Sequence, residues 1–271
     1  MKPNEWIRYP AVAGSFYPAN PIQLMERLKA QCPEREKTSA IAIMAPHAGY
    51  VYSGKIAGEV YSRTRIPSTV IVICPNHTGL SGAKSRVSIW GKGSWITPLG
   101  ETRVDEAFAG ELLQKLKEKP DALAHRQEHA NEVHLPFLQF LNPSVKIVPI
   151  TLGHLSWERC SRFATALSEV AKNRDVLIVA STDMSHFLSA AESQTRDALA
   201  LKEVEGLDGE SLYRAVVEND ISMCGFIPTA VALKFAQQLG AKRSKILAYG
   251  HSGEVSGNHR RVVGYAAASF S

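Results

Sequence analysis

"VIVICPNHTG", Val70 to Gly79, sets an apolar, β-branched run directly against a proline, an asparagine, a histidine and a glycine. A continuous run of this kind reads as a strand covered on both faces, since a half-exposed strand would alternate. Pro75 lacks a ladder N–H where the strand is to end, and Gly79 permits a sharp turn. His77 is thereby placed at a strand's carboxyl end. "AIAIMAPHAGYVYSG", Ala40 to Gly54, repeats the pattern: Pro46 and His47 close another apolar run, and Gly49 follows.

Working outward, strands are expected at Ala40 to Ala45, Thr69 to Cys74, Val145 to Thr151, Asp175 to Ser181, Lys245 to Tyr249 and Val262 to Ser269. Between them helical spacing covers Gly54 to Ser62, Val104 to Glu118 (with Pro120 as a stop), Ser156 to Lys172, Gly209 to Glu218 and Thr229 to Leu239. Ser156 is the expected N-cap of its helix, and Pro228 and Gly240 bracket the last one. Alternating strands and helices predict an α/β fold: one domain over residues 1–271, with a mainly parallel or mixed central sheet and helices on both faces. "SRVSIWGKGSWITPLGETRV", Ser85 to Val104, alternates and carries glycines, so it reads as a β-excursion or insertion.

The 271 residues are 45% hydrophobic and 21% charged, which suits a globular chain with a sizeable core. The net charge is +5, but Lys and Arg are scattered with no basic block or basic–aromatic repeat, which argues against nucleic acid. Cys32, Cys74, Cys160 and Cys224 form no C-x-x-C pair and are too sparse for a disulfide scaffold, so a reducing, cytoplasmic setting is expected. The N-terminus "MKPNEWIRYP" has no apolar core of a signal peptide, and no run is long enough for a membrane helix.

Ligands of open parallel α/β sheets bind outside the carboxyl ends of the strands. Three expected strands end in a histidine there: His47, His77 and, through "STDMSHF", His186 with Asp183 three residues before it. Convergent imidazoles suggest a transition metal; a lone strand-end histidine would be an ordinary polar cap. In "QEHANEVHLPFLQFL", Glu128 and Glu132 stand four apart, as do Ala130 and His134. Pro136 limits any helix, and Val133, Leu135, Phe137 and Leu138 are core candidates. His129 and His134 either support a bound cofactor or sit on a surface face. Cys224 precedes Gly225 and a helix start, where it is either a reactive thiolate or an inert small apolar residue. Cys32, Cys74 and Cys160 read as inert. No nucleophile elbow, phosphate loop or dinucleotide fingerprint occurs.

In order, "AVAGSFYP", "APHAGYVYSG", "PNHTG", "EHANEVHLPFLQ", "STDMSHF" and "CGFIPTA" resemble the Memo family, whose bacterial and archaeal members are called AmmeMemoRadiSam system protein B. The resemblance implies the fold of class III extradiol dioxygenases, which are non-haem Fe(II) enzymes. It implies a metal on His47, His77 and Cys224, with Asp183 and His186 beside it and His186 as the acid/base group. The dioxygenases use a carboxylate where this chain has Cys224, and a softer thiolate suits Cu or Zn as well as Fe(II). The implied function is a metal-binding, iron- or copper-dependent redox enzyme acting on an unknown small molecule, with His186 oriented by Asp183. The alternative is a non-catalytic metal protein working with an AMMECR1-like protein and a radical SAM protein.

Overall fold

The computed structural model describes residues 6–271. The reading of a missing signal peptide falls partly on residues 1–5, outside the described residues. In chain order the elements are β1 (Ile7–Arg8), α1 (Pro21–Gln31), β2 (Ala42–Ala45), α2 (Tyr50–Arg63), β3 (Thr69–Pro75), β4 (Val87–Ile89), β5 (Ser94–Thr97) and β6 (Gly100–Arg103). Then come α3 (Glu106–Leu116), α4 (His129–Glu132), α5 (Leu135–Leu141), β7 (Lys146–Leu152), α6 (Trp157–Ala171), β8 (Val176–Ser181) and β9 (His186–Leu188). The chain ends with α7 (Ala190–Glu205), α8 (Gly209–Glu218), α9 (Phe226–Gln238), β10 (Ser244–His251), α10 (Gly253–Ser256) and β11 (Val262–Phe270).

The two apolar runs became β2 and β3, and both are buried from end to end. They belong to one sheet in the order β10-β11-β2-β8-β3-β7-β4, with β9 attached to β11. The centre is parallel: β2 pairs with β8, β8 with β3, and β3 with β7. Both flanks are antiparallel, through β11 and β10 on one side and β4 on the other. Helices α3, α6, α7, α8 and α9 pack as one layer, and α1, α2 and α5 as another. This is the expected class III extradiol dioxygenase-like α/β arrangement, and it explains why the central strands are apolar at every position.

Local differences from the expectation have physical causes. Helix α2 begins four residues earlier, at Tyr50, directly after the His47 loop. Its aromatic and β-branched first turn looked extended, but tertiary packing wins: a Cβ on Gly58 would stand 1.7 Å from the Gln31 carbonyl oxygen, so the glycine lets α1 approach. Helix α3 stops at Lys117, which takes a left-handed φ of 56°, before Pro120 is reached. Helices α1 and α7 were not anticipated from the sequence. The excursion at 85–104 splits, with β4 joining the main sheet and β5–β6 forming a three-stranded sheet with β1. The 128–132 segment makes only one helical turn, α4, and Pro136 opens α5 instead of ending a helix.

That single turn carries a buried ion pair. Glu132 accepts from Arg8 Nη1 at 2.7 Å, Ala11 N at 2.8 Å, Val12 N at 3.1 Å and the Tyr17 hydroxyl at 2.5 Å. Arg8 also donates to the carbonyls of His125 and Glu128 and stacks on Trp95. The segment 8–17 is thus clamped beside α4. Removing one partner leaves a buried charge uncompensated, so Glu132→Ala is expected to lower unfolding free energy by about 3–5 kcal/mol in urea titrations. The Arg8→Met/Glu132→Met pair should lose clearly less than the two single losses added together.

His125 is fully buried between Trp90 and Trp95, with Nε2 on the Ser88 carbonyl and Nδ1 on Thr151 Oγ1. Burial, and then the Arg8 charge, push its pKa down to about 4. The unfolded imidazole takes a proton near its usual pKa of about 6.5, while the folded one stays neutral. Between those values the unfolded state binds more protons, so stability falls as pH drops through the window. Relative to His125→Gln, the native chain should lose about 3 kcal/mol between pH 7 and pH 4 in chemical denaturation.

Candidate metal centre

Strands β2, β8 and β3 lie side by side and parallel, so their carboxyl ends form one rim. His47 follows β2 by two residues, and His77 follows β3 by two. Ser181 ends β8 between them. Cys224 arrives from the start of α9, because Gly225 packs onto the end of β8. A Cβ at Gly225 would sit 2.2 Å from the Ser181 carbonyl oxygen, and the Gly225 N–H donates to Thr182 Oγ1 at 3.0 Å. The sequence-expected ligands therefore come together. One donor atom each from His47, His77 and Cys224 lies within 4.8 Å of the others, and Cys224 Sγ is 3.3 Å from His47 Nε2.

The hydrogen bonds settle which imidazole nitrogen is free. Ser181 Oγ donates to the Ala130 carbonyl at 2.7 Å. Its one proton is then used, so both histidines beside it must donate to it: His47 Nδ1 at 2.8 Å and His134 Nε2 at 2.8 Å. His47 Nε2, beside the thiol, keeps its lone pair. His134 Nδ1 in turn accepts from the Tyr61 hydroxyl at 2.9 Å. At His77, the Glu128 carboxylate accepts from Nδ1 at 2.9 Å and from the backbone N–H at 2.7 Å, which leaves Nε2 for a ligand. Supporting bonds of this kind orient ligating histidines and raise their basicity.

Charge follows burial. His47 is held well below the usual imidazole range by burial and by the neighbouring His77 and His129. Burial pushes His134 down to about 3. Burial alone would raise Glu128, but its bonds to His77 and the Ala130 N–H outweigh that and keep it ionised below the ordinary range. Burial and the nearby Asp183 push the Cys224 thiol up, so a cation must displace its proton to bind. Two neutral imidazoles and one thiol, with an open side, suit a transition-metal ion of the Fe, Cu or Zn type.

Other expected residues take different places. Asp183 accepts from the His47 and Ala48 N–H groups at 2.8 and 3.3 Å, and so fixes the loop of a ligand. It does not orient His186, whose Nδ1 instead donates to the Ser222 carbonyl at 2.9 Å. The reason is direction: the chain turns after Asp183, Met184 N bonds Gly264 O, and His186 joins β11 through β9. His186 lies outside the group of converging donors. His129 borders the site, stacked on His77 with ring centroids 4.8 Å apart. His134 is buried and reaches the site only through Ser181. Cys74 is buried against Thr151, as its strand position suggested. Ser181, Tyr61 and Ser222 were missed; only the strand order could have singled out Ser181.

Ser181→Ala removes the shared acceptor and frees His47 to take the wrong tautomer. Metal affinity measured by chelator competition should fall about 10–100-fold, with the far-UV circular dichroism unchanged.

A family model described as Memo-like protein matches residues 8–269. Among similar proteins is a MEMO1 family protein of Aquifex aeolicus, 39% identical over 267 residues, 97% of this chain and 99% of that one. Another, from Archaeoglobus fulgidus, is 40% identical over 266 residues with 97% and 99% covered. A third, from Thermotoga neapolitana, is 38% identical over 283 residues with 98% and 100% covered. With its fold, its strand-end histidines and these matches along nearly its whole length, the chain belongs to the Memo-like protein family.

Proposed function

We propose that this chain binds a transition-metal ion through His47, His77 and Cys224 and uses it in a redox reaction on a small molecule in the cytoplasm. The single observation behind this is the pair of anchored imidazoles, whose Nδ1 atoms are taken by Ser181 and Glu128, leaving His47 Nε2 and His77 Nε2 without a protein acceptor beside the Cys224 thiol. Fe(II) is the first choice of ion, on the resemblance to extradiol dioxygenases; Cu is the second, on the softness of the thiolate. A bound ion of this kind supplies Lewis acidity and one-electron chemistry.

The chain's own residues do the rest. Asp183 holds the His47 loop by its backbone. His186 donates from Nδ1 to Ser222, so its Nε2 is the basic nitrogen and can take or return a proton from a substrate. Glu128 and Ser181 keep the two ligand imidazoles in position. No helix among the described residues is long and apolar enough to cross a membrane.

A second reading is favoured by the thiolate alone: a non-catalytic metal protein that presents its ion to an AMMECR1-like or radical SAM partner. The two separate on one pair of variants. Protein purified without oxygen or an affinity-tag metal should carry about one ion per chain by elemental analysis, and His47→Ala should carry almost none. His186→Ala should keep the ion. If the Fe(II) protein consumes oxygen with a panel of catechols and His186→Ala does not, the enzyme reading stands. No oxygen uptake across the panel, with the ion in place, leaves the non-catalytic reading.

A further inference from the structure

Beside the first donor set lies a second one that uses other groups. One donor atom each from His77, Glu128 and His129 also falls within 4.8 Å of the others. Glu128 Oε1 is 2.9 Å from His77 Nδ1 and 3.3 Å from His129 Nδ1. Metal–nitrogen and metal–oxygen bonds of about 2.0–2.2 Å place neighbouring donors of a tetrahedral or octahedral shell about 2.9–3.5 Å apart. Both distances fit that range without movement of the chain.

Charge supports the same place. Glu128 is fully buried, yet no Lys or Arg side chain among the described residues bonds its carboxylate. Arg8 reaches only its backbone carbonyl. Its partners are two imidazoles and backbone N–H groups. His77 cannot be the compensating cation when its Nε2 ligates the first ion, a step that rests on the function proposed above. A buried carboxylate without a cation is costly, and a metal ion supplies one.

We propose that His77, Glu128 and His129 form a second metal position beside the first, sharing His77 with it. Two imidazoles and a carboxylate take a borderline divalent cation such as Zn(II), Co(II) or Cu(II), and not the Cu(I) that the thiolate position accepts. The ion takes the place of the proton on His77 Nδ1, and that proton leaves to solvent.

Co(II) is the probe, because thiolate ligation adds a near-ultraviolet charge-transfer band that nitrogen and oxygen ligation lacks. The His47→Ala/Cys224→Ser chain should still bind Co(II), with visible bands and no thiolate band. Adding His129→Ala should weaken that binding at least about tenfold. A folded double variant that binds no Co(II), or binds it equally well after His129→Ala, overturns the second position. Should the double variant fail to fold, the full chain decides: it should take up a second equivalent without further thiolate absorption, and His129→Ala should abolish it. Equal uptake by the two overturns the proposal. A native chain with no thiolate band at the first equivalent would instead overturn the first position, independently of these outcomes.

Discussion

A hydroxyl has one proton. At Ser181 that proton is committed to the Ala130 carbonyl, and everything around it is constrained by this choice. Two imidazoles share the remaining lone pairs, so both must donate, and burial keeps both neutral with defined tautomers. His47 then offers Nε2 toward Cys224, and His134 must find a donor for Nδ1, which Tyr61 provides. The network lies in the interior, where each bond is stronger and each missing partner more costly than in water. Ser181 holds this place because β8 runs between β2 and β3, and parallel strands end on the same side.

The second constraint is α4, one helical turn with a carboxylate at each end. Glu132 draws in Arg8, Tyr17 and the backbone of residues 11 and 12. Glu128 draws in His77. Four residues of chain thus connect the clamp on the N-terminal segment to a metal ligand. Phe16 arrives against His129 with ring centroids 4.8 Å apart, and its carbonyl receives the Tyr50 N–H at the start of α2. "AVAGSFYP" and "APHAGY" are therefore neighbours in space, although 26 residues of chain, including all of α1, separate them.

The sequence made some of this legible and hid the rest for a definite reason. Periodicity and punctuation belong to single segments, so the strands ending at His47 and His77 could be read directly. Helices α1 and α7 carry many charged and polar residues, and their apolar stripes are too thin to stand out. Cys224 lies far along the chain from both histidines, and only the family resemblance joined it to them; Gly225 shows the packing that makes the junction possible. Glu128 was visible as a residue, but its partner was not, since hydrogen-bond choice is decided by the fold. Asp183 and His186 stand three apart and suggested a pair, yet the turn between them sends one to the His47 loop and the other to Ser222.

The thiol in place of a carboxylate changes how this centre balances charge. A carboxylate ligand would stay ionised and would need a cation at all times. Cys224 avoids that: with Asp183 nearby and solvent excluded, its proton is retained until a cation arrives. The thiol position can therefore stand without a permanent anion, while Glu128, 2.9 Å from His77 Nδ1, supplies a fixed negative charge beside it. A fixed anion on one side of His77 and a conditional one on the other make two unlike places for a cation, the second deepening once the thiol proton has left. His77 stands at the boundary, with Nδ1 on the fixed charge and Nε2 on the conditional side, so its orientation couples the two.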